Sequence, residues 1–237
     1  MVTLRILSVL LQYPSVELQS AVPELRRALA DAGEFPAGQI DPLFDWLTAE
    51  DLLDCQEAYV ETFDRGRAHS LHLFEHVHGE SRDRGQAMVD LRDRYLAAGL
   101  EPLSNELPDF LPLFLEYCST LPRDQAMAQL AEPGVVLVAL AARLERRASP
   151  YAVVLAALCD LADIERSEEA ENAVAPADDP TDLDALDKAW EAEEVTFGAA
   201  APDQLAKDSC PQAEAMVARF RTPEAVPAPT PAAARSH

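Results

Sequence analysis

An all-α fold, a single helical bundle followed by an acidic tail, is what this sequence predicts, and three observations carry the expectation. Ala (41) and Leu (32) heavily outnumber Val, Ile and Thr (27 together) among the 237 residues; the first pair suits helices, the β-branched set suits strands. Only 8 glycines stand against 18 prolines, too few for the turns of a sandwich or barrel and for a glycine-rich phosphate loop. Apolar residues recur every three or four positions through most of the first 165 residues, the spacing of helices with one buried face.

The elements come in order along the chain. Thr3–Gln12 reads as a core helix stopped by Pro14, without the basic leader or small-residue cleavage site of a secretory signal. Pro23–Ala32 is a second helix, with proline near its start and Gly33 past its end. Asp41 and Pro42 open a further turn or two containing Phe44 and Trp46. Thr48 and Asp51 have capping-box spacing ahead of the stripe Leu52, Cys55, Tyr59, Val60 and Phe63. From Asp64 to Glu80 the periodicity is lost, which predicts an irregular connection or a short broken helix. Ser81 is placed to cap the next helix, with Met88, Leu91, Tyr95 and Leu96 on one face and Gly99 as its left-handed end. In residues 107–121 the core face is Phe110, Leu111, Phe114, Leu115, Cys118 and Leu121, with Pro108 in the first turn and Pro112 predicted to kink the helix beyond it. Val135–Arg147 and Tyr151–Ile164 are apolar over most of their circumference and read as a buried antiparallel pair joined at Ser149 and Pro150.

Beyond Ile164 the composition changes. Residues 163–197 hold 13 acids against two bases, so we expect a helical domain at 1–165 and a largely disordered tail at 166–237. Within the tail, 182–194 places Leu183, Leu186 and Trp190 on one face and reads as a short docking helix; Ala213–Phe220 is a weaker one.

The formal net charge is −23. Such a balance repels polyphosphate and anionic lipid, excluding nucleic acid as a partner, and suits either solubility or attraction of a basic peptide. No stretch approaches the roughly 20 apolar residues needed to cross a bilayer, so stable membrane insertion is not expected. Cys55, Cys118, Cys159 and Cys210 are far apart with no CxxC pair, which points to a reducing, cytoplasmic setting.

Three clusters carry potential chemistry. His69, His72, His76 and His78 lie within ten residues beside Glu75 and Glu80. That grouping raises the alternative of a helical metal-binding regulator, but it lacks an HExxH helix or a cysteine partner, so no metal is assigned. Residues 65–94 hold six arginines and five acids, read as a surface ion network around Glu80, Arg82, Asp83 and Arg84. In EPLSNELPDF, Glu101–Phe110, acids alternate with prolines between two helices; Asp109 is explained by the following helix dipole, Glu106 is not. No Ser/His/Asp or Cys/His arrangement, nucleophile elbow or phosphate loop is present, so neither an enzyme nor a cofactor is indicated.

The run YVETFDRGRAHSLHLFEHVHGESRDRGQAMVDL, Tyr59–Leu91, followed by NELPDFLPLFLEY, Asn105–Tyr117, resembles the nitrate reductase molybdenum cofactor assembly chaperone family of the NarJ type. The likeness extends from LRILSVLLQYP near the start to DLDALDKAWEAEEVTFG. It implies the helical fold of the wider TorD/DmsD superfamily of molybdoenzyme chaperones. It further implies a client, the apo catalytic α subunit of respiratory nitrate reductase, bound through its N-terminal segment until molybdenum cofactor is inserted; molybdenum cofactor biosynthesis proteins are a further partner class it leaves open. In the superfamily's hinge motif Glu106, Pro108 and Asp109 match, while Phe110 stands where many relatives have histidine. A basic amphipathic peptide lying in an acidic groove between helices would meet apolar and charged side chains together. The candidates for contacting it are Tyr59, Phe63, Asp64, His69, His72, Phe74, Glu75, His76, Glu106, Pro108, Asp109 and Phe110.

Overall fold

The computed structural model describes residues 1–174 except 35, 37, 78–81 and 102–105. Every regular element among these residues is a helix, and the one β feature among them is an isolated antiparallel bridge between His72 and Phe110. The expected docking helix at 182–194, the weaker helix at 213–220 and the rest of the tail lie outside the described residues, as do Ser81, His78 and Cys210.

Helices α1 (Val2–Leu10), α2 (Val16–Ala32) and α3 (Asp41–Ala49) pack in succession, and α1 also lies along α7 (Leu111–Thr120). On α1, Leu4, Leu7, Leu10 and the following Leu11 are fully buried, each contributing about 1.5–3 kcal/mol by burial. Helix α2 starts seven residues before the expected Pro23. Ser15 caps it by accepting from the Leu18 amide at 3.2 Å, and Pro23 is carried inside the helix. The proline withholds one amide donor, a local cost that the cap and the burial of Leu18, Val22 and Leu29 offset. Gly33 ends α2 in the left-handed conformation, φ 63°, as its position predicts.

The expected capping box is not formed. Thr48 lies within α3, where its hydroxyl donates to the carbonyls of Phe44 and Asp45, both at 3.0 Å, and the Asp51 side chain makes no capping bond to α4 (Leu52–Tyr59). The predicted stripe holds in part: Cys55, Tyr59 and Phe63 are buried, and after Tyr59 the helix widens into a π turn, Val60–Asp64. A 3₁₀ turn (Arg67–His69) and the short α5 (Leu73–Val77) then fill the aperiodic stretch. On α6 (Arg82–Ala97), Leu91 and Tyr95 are buried but Leu96 is 44% exposed, so the expected face is narrower than predicted. Gly99 comes next at φ 77°.

Helix α7 begins at Leu111. Pro108 therefore sits in the turn before it, and Pro112 falls in the first turn, where a missing amide donor costs nothing and no kink is produced. Helix α8 (Arg123–Ala131) is not evident from the sequence, because only Ala126 and Leu130 are buried on it and one four-residue spacing gives little periodicity to read. Helices α9 (Gly134–Arg146) and α10 (Ala152–Leu161) pack along one another at the centre, joined through Ser149 and Pro150 as expected. Every residue of α9 from Val136 to Leu144 is buried. Packing continues past residue 165: α11 (Glu168–Ala173), capped by Ser167, lies on α9, and Val174 is buried. Cys55, Cys118 and Cys159 are free thiols in the core; burial pushes the Cys118 thiol up to about 12 and the Cys159 thiol up to about 11.

Candidate functional site

Two backbone segments far apart in sequence are stitched together beside the π turn. The Leu73 amide donates to the Asp109 carbonyl at 3.0 Å, and the Leu111 amide donates to the Leu71 carbonyl at 2.8 Å. The Asp109 side chain completes the stitch. It is 0% exposed, accepts from the Phe74 amide at 3.1 Å, lies 3.0 Å from His72 Nδ1, and has the Arg84 guanidinium at 4.0 Å. Tyr95 tightens the same corner by donating to the Pro108 carbonyl at 2.7 Å.

Two cavities flank this stitch. The larger, about 660 Å³, has aromatic walls from Tyr13, Tyr59, Tyr95, Phe110 and Tyr117 and four carboxylates, Asp64, Glu101, Glu106 and Glu116. Among the described residues no Lys or Arg lines it; Arg5 stands 3.9 Å from Glu116 at the surface. The smaller, about 380 Å³, is lined by Phe63, Asp64, Arg65, Gly66, Arg67, Ser70, His72 and Glu75. Asp64 and His72 belong to both. The π turn puts Asp64 there: its Phe63 packs inward against Tyr59 and Tyr151, with ring centroids 4.8 and 5.0 Å away, leaving the next side chain directed outward.

The expected contact residues divide accordingly. Tyr59, Asp64, His72, Glu106 and Phe110 line the larger cavity; Phe63, Asp64, His72 and Glu75 line the smaller. His69, Phe74, His76, Pro108 and Asp109 line neither. Asp109 acts inward rather than through the dipole of the following helix alone, because it lies before α7 begins and its carboxylate meets the amide of Phe74 on α5. Tyr13, Tyr95, Leu100, Glu101, Leu113, Glu116 and Tyr117 line the larger cavity without being among the contacts the sequence suggests. Leu113 and Tyr117 are four residues apart on α7 with Glu116 beside them, so a mixed apolar and acidic face was the available signal.

The histidines do not converge. His72 faces Asp109, and His76 Nε2 lies 2.8 Å from the Ser70 carbonyl. Among the described residues no group of three or more His, Cys, Asp or Glu side chains is placed to hold one metal ion. The hydrogen bond to Asp109 raises the His72 pKa, outweighing burial and helped by the charges of Asp109, Glu75 and Glu106. Burial lowers that of His76, and the Arg143 charge adds to the effect against the bond to Ser70. Of the predicted ion network, Arg84 pairs with Glu75 at 3.3 Å, while Glu80 lies outside the described residues. The buried Arg143 donates to the Ala68 carbonyl at 2.8 Å and the Val174 carbonyl at 2.9 Å, tying α11 to the 3₁₀ turn. No single helix among the described residues is long and apolar enough to cross a membrane.

A family profile described as nitrate reductase delta subunit matches residues 15–157, a span that contains every expected contact residue. The chain belongs to the nitrate reductase delta subunit family. Its similarity to relatives of the NarJ type runs through most of its length. It is 47% identical over 202 residues to the nitrate reductase molybdenum cofactor assembly chaperone NarJ of Escherichia coli (strain K12), covering 83% of this chain and 85% of that one. It is 40% identical over 199 residues to the probable chaperone NarW of the same organism (82% and 83%). It is 30% identical over 175 residues to the probable NarJ of Bacillus subtilis (strain 168) (73% and 95%). All three of these relatives are named as molybdenum cofactor assembly chaperones of nitrate reductase, none as a catalytic subunit.

Proposed function

We propose that this chain is a dedicated assembly chaperone for nitrate reductase, acting in the cytoplasm. In this reading it binds the apo catalytic α subunit through that subunit's N-terminal segment and holds it open while molybdenum cofactor, the client's own cargo, is inserted. The relatives' names support nitrate reductase as the enzyme assembled and molybdenum cofactor as what is inserted; the α subunit and its N-terminal segment are part of the proposal. The observation that carries the binding mode is the larger cavity: an aromatic wall and four carboxylates, with no Lys or Arg lining it among the described residues. Such a surface suits an amphipathic basic helix, whose apolar side chains enter between the rings while its cations meet the acids at the rim. A dissociation constant between micromolar and nanomolar corresponds to about 8–12 kcal/mol, within reach of a short apolar strip with a few charge contacts and weak enough for release.

The test is calorimetric titration of the full chain with a synthetic peptide copying the α subunit's N-terminus, at two salt concentrations. Added salt weakens binding by screening. Glu106→Lys and Glu116→Lys each weaken it by about tenfold, or about 1.4 kcal/mol, while leaving the helical circular dichroism unchanged, because both side chains lie at the solvent-facing rim. Unchanged affinity in both variants would remove the cavity from the binding site while leaving the family assignment intact.

A further inference from the structure

The two cavities differ in charge in a way that the single-groove reading does not use. Among the described residues the larger sets four carboxylates beside His72 and no Lys or Arg. The smaller adds two exposed guanidinium groups, Arg65 and Arg67, and one of its two acids, Glu75, is already met by Arg84 at 3.3 Å. Arg65 is itself braced by Glu61 at 3.3 Å, one helical turn back, so the smaller cavity is close to neutral overall where the larger is strongly negative. Because Asp64 and His72 line both, an extended occupant can pass from one to the other across these two side chains.

We propose that the cavities are successive subsites of one groove and that the groove reads its peptide in a single direction. The amino-terminal, apolar and cationic part occupies the larger cavity. The carboxyl-terminal end, carrying an acidic residue, occupies the smaller and meets Arg65 and Arg67. This rests on the peptide-binding reading above and adds polarity to it. Two independent electrostatic effects favour the same orientation. A bound helix directs its positive N-terminal dipole end at Glu101, Glu106 and Glu116 and its negative C-terminal carbonyls at the arginines. A carboxylate side chain in the larger cavity faces four like charges, whereas in the smaller it meets two guanidinium groups set against two acids, Asp64 and Glu75, with Arg65 shared with Glu61. The partner surface is therefore defined by charge order along the chain as well as by net charge, and a uniformly basic peptide of equal length is the poorer ligand.

The experiment uses the full chain and four synthetic peptides that share one apolar and basic core, with Glu or Lys appended at the N-terminal or the C-terminal end, titrated by fluorescence anisotropy. A C-terminal Glu binds about three- to fivefold tighter than a C-terminal Lys, and an N-terminal Glu binds weaker than an N-terminal Lys by a similar factor, the size expected of rim charge pairs. In the variant carrying both Arg65→Glu and Arg67→Glu, the C-terminal preference inverts while the N-terminal one persists. A C-terminal preference that is absent, or that survives in the arginine variant, overturns the polarity. Weakening of all four peptides by Glu106→Lys upholds the groove itself in that event, whereas binding of all four that ignores Glu106→Lys removes the groove reading and the polarity with it.

Discussion

Replacing Asp109 by alanine is the sharpest perturbation of the site's architecture, because this carboxylate, on the segment before α7, accepts from the Phe74 amide 35 residues earlier in the sequence. Its loss strands the Phe74 amide and His72 Nδ1 and leaves Arg84 with Glu75 alone. A buried donor left without its acceptor costs about 1–3 kcal/mol, and breaking a buried ion pair costs about 3–5 kcal/mol. The His72 and Arg84 side chains remain 25% and 22% exposed, so water recovers part of the loss; the net effect is about 3 kcal/mol. With a urea slope of about 2 kcal/mol/M, the unfolding midpoint of Asp109→Ala falls by about 1.5 M, read by far-ultraviolet circular dichroism. Asp109→Asn keeps an oxygen for the Phe74 amide and loses about half as much. The gap also depends on pH. The His72 pKa is raised in the fold, so its contribution is fully present below about 6.5, the unfolded value, and fades as pH rises through the raised folded value; the two variants therefore lie closest to the parent at alkaline pH. An Asp109→Ala midpoint within about 0.3 M of the parent at pH 6, or an Asn variant as weak as the Ala variant, would refute the stitch.

His76 gives the opposite slope: its pKa is lowered in the fold, so the neutral ring stabilises above about 6.5 and that contribution is lost as pH falls towards the folded value, and His76→Gln flattens this acid limb in midpoint-against-pH measurements. Leu137→Ala opens a cavity at a fully buried position on the central helix and lowers stability by about 2–5 kcal/mol in urea unfolding, with little relaxation expected between α9 and α10. Gly33→Ala costs about 1 kcal/mol in the same assay through its left-handed backbone alone, since a Cβ there meets nothing within 4 Å.

What the sequence revealed and what it concealed divide along periodicity. The central pair α9 and α10 was legible because apolar residues cover nearly all of Val135–Leu144 and Val153–Cys159, and the ends of α2 and α6 because Gly33 and Gly99 mark left-handed terminators. The start of α2 is misleading in the sequence because Pro23 is a strong local signal for a beginning, whereas the true one depends on Ser15 with a first-turn Glu17. The missing capping box has the same origin: Thr48 and Asp51 have the right spacing but belong to different elements. At the site, the residue types in Tyr59–Glu75 and Glu106–Phe110 were recognisable, and the structure brings both runs to one place. Their directions were not. Nothing local distinguishes Asp109, which turns inward to an amide on another helix, from Glu106 three residues earlier, which faces the cavity. Tyr13 and Glu116 come from distant parts of the chain and join only through the packing of α1 on α7.

The wide turn at Val60–Asp64, closed by the Arg65 amide on the Val60 carbonyl at 3.2 Å, makes residue count a functional variable at this point. A π turn amounts to one residue inserted into an α-helix. Removing any one residue from it would allow ordinary helical bonding to resume and would rotate every later position by about 100°, swinging Asp64 away from the wall that divides the cavities. In aligning chains of this kind, a single gap between Tyr59 and Arg65 therefore outweighs several side-chain exchanges, since it alters where the acid points without altering which acid it is.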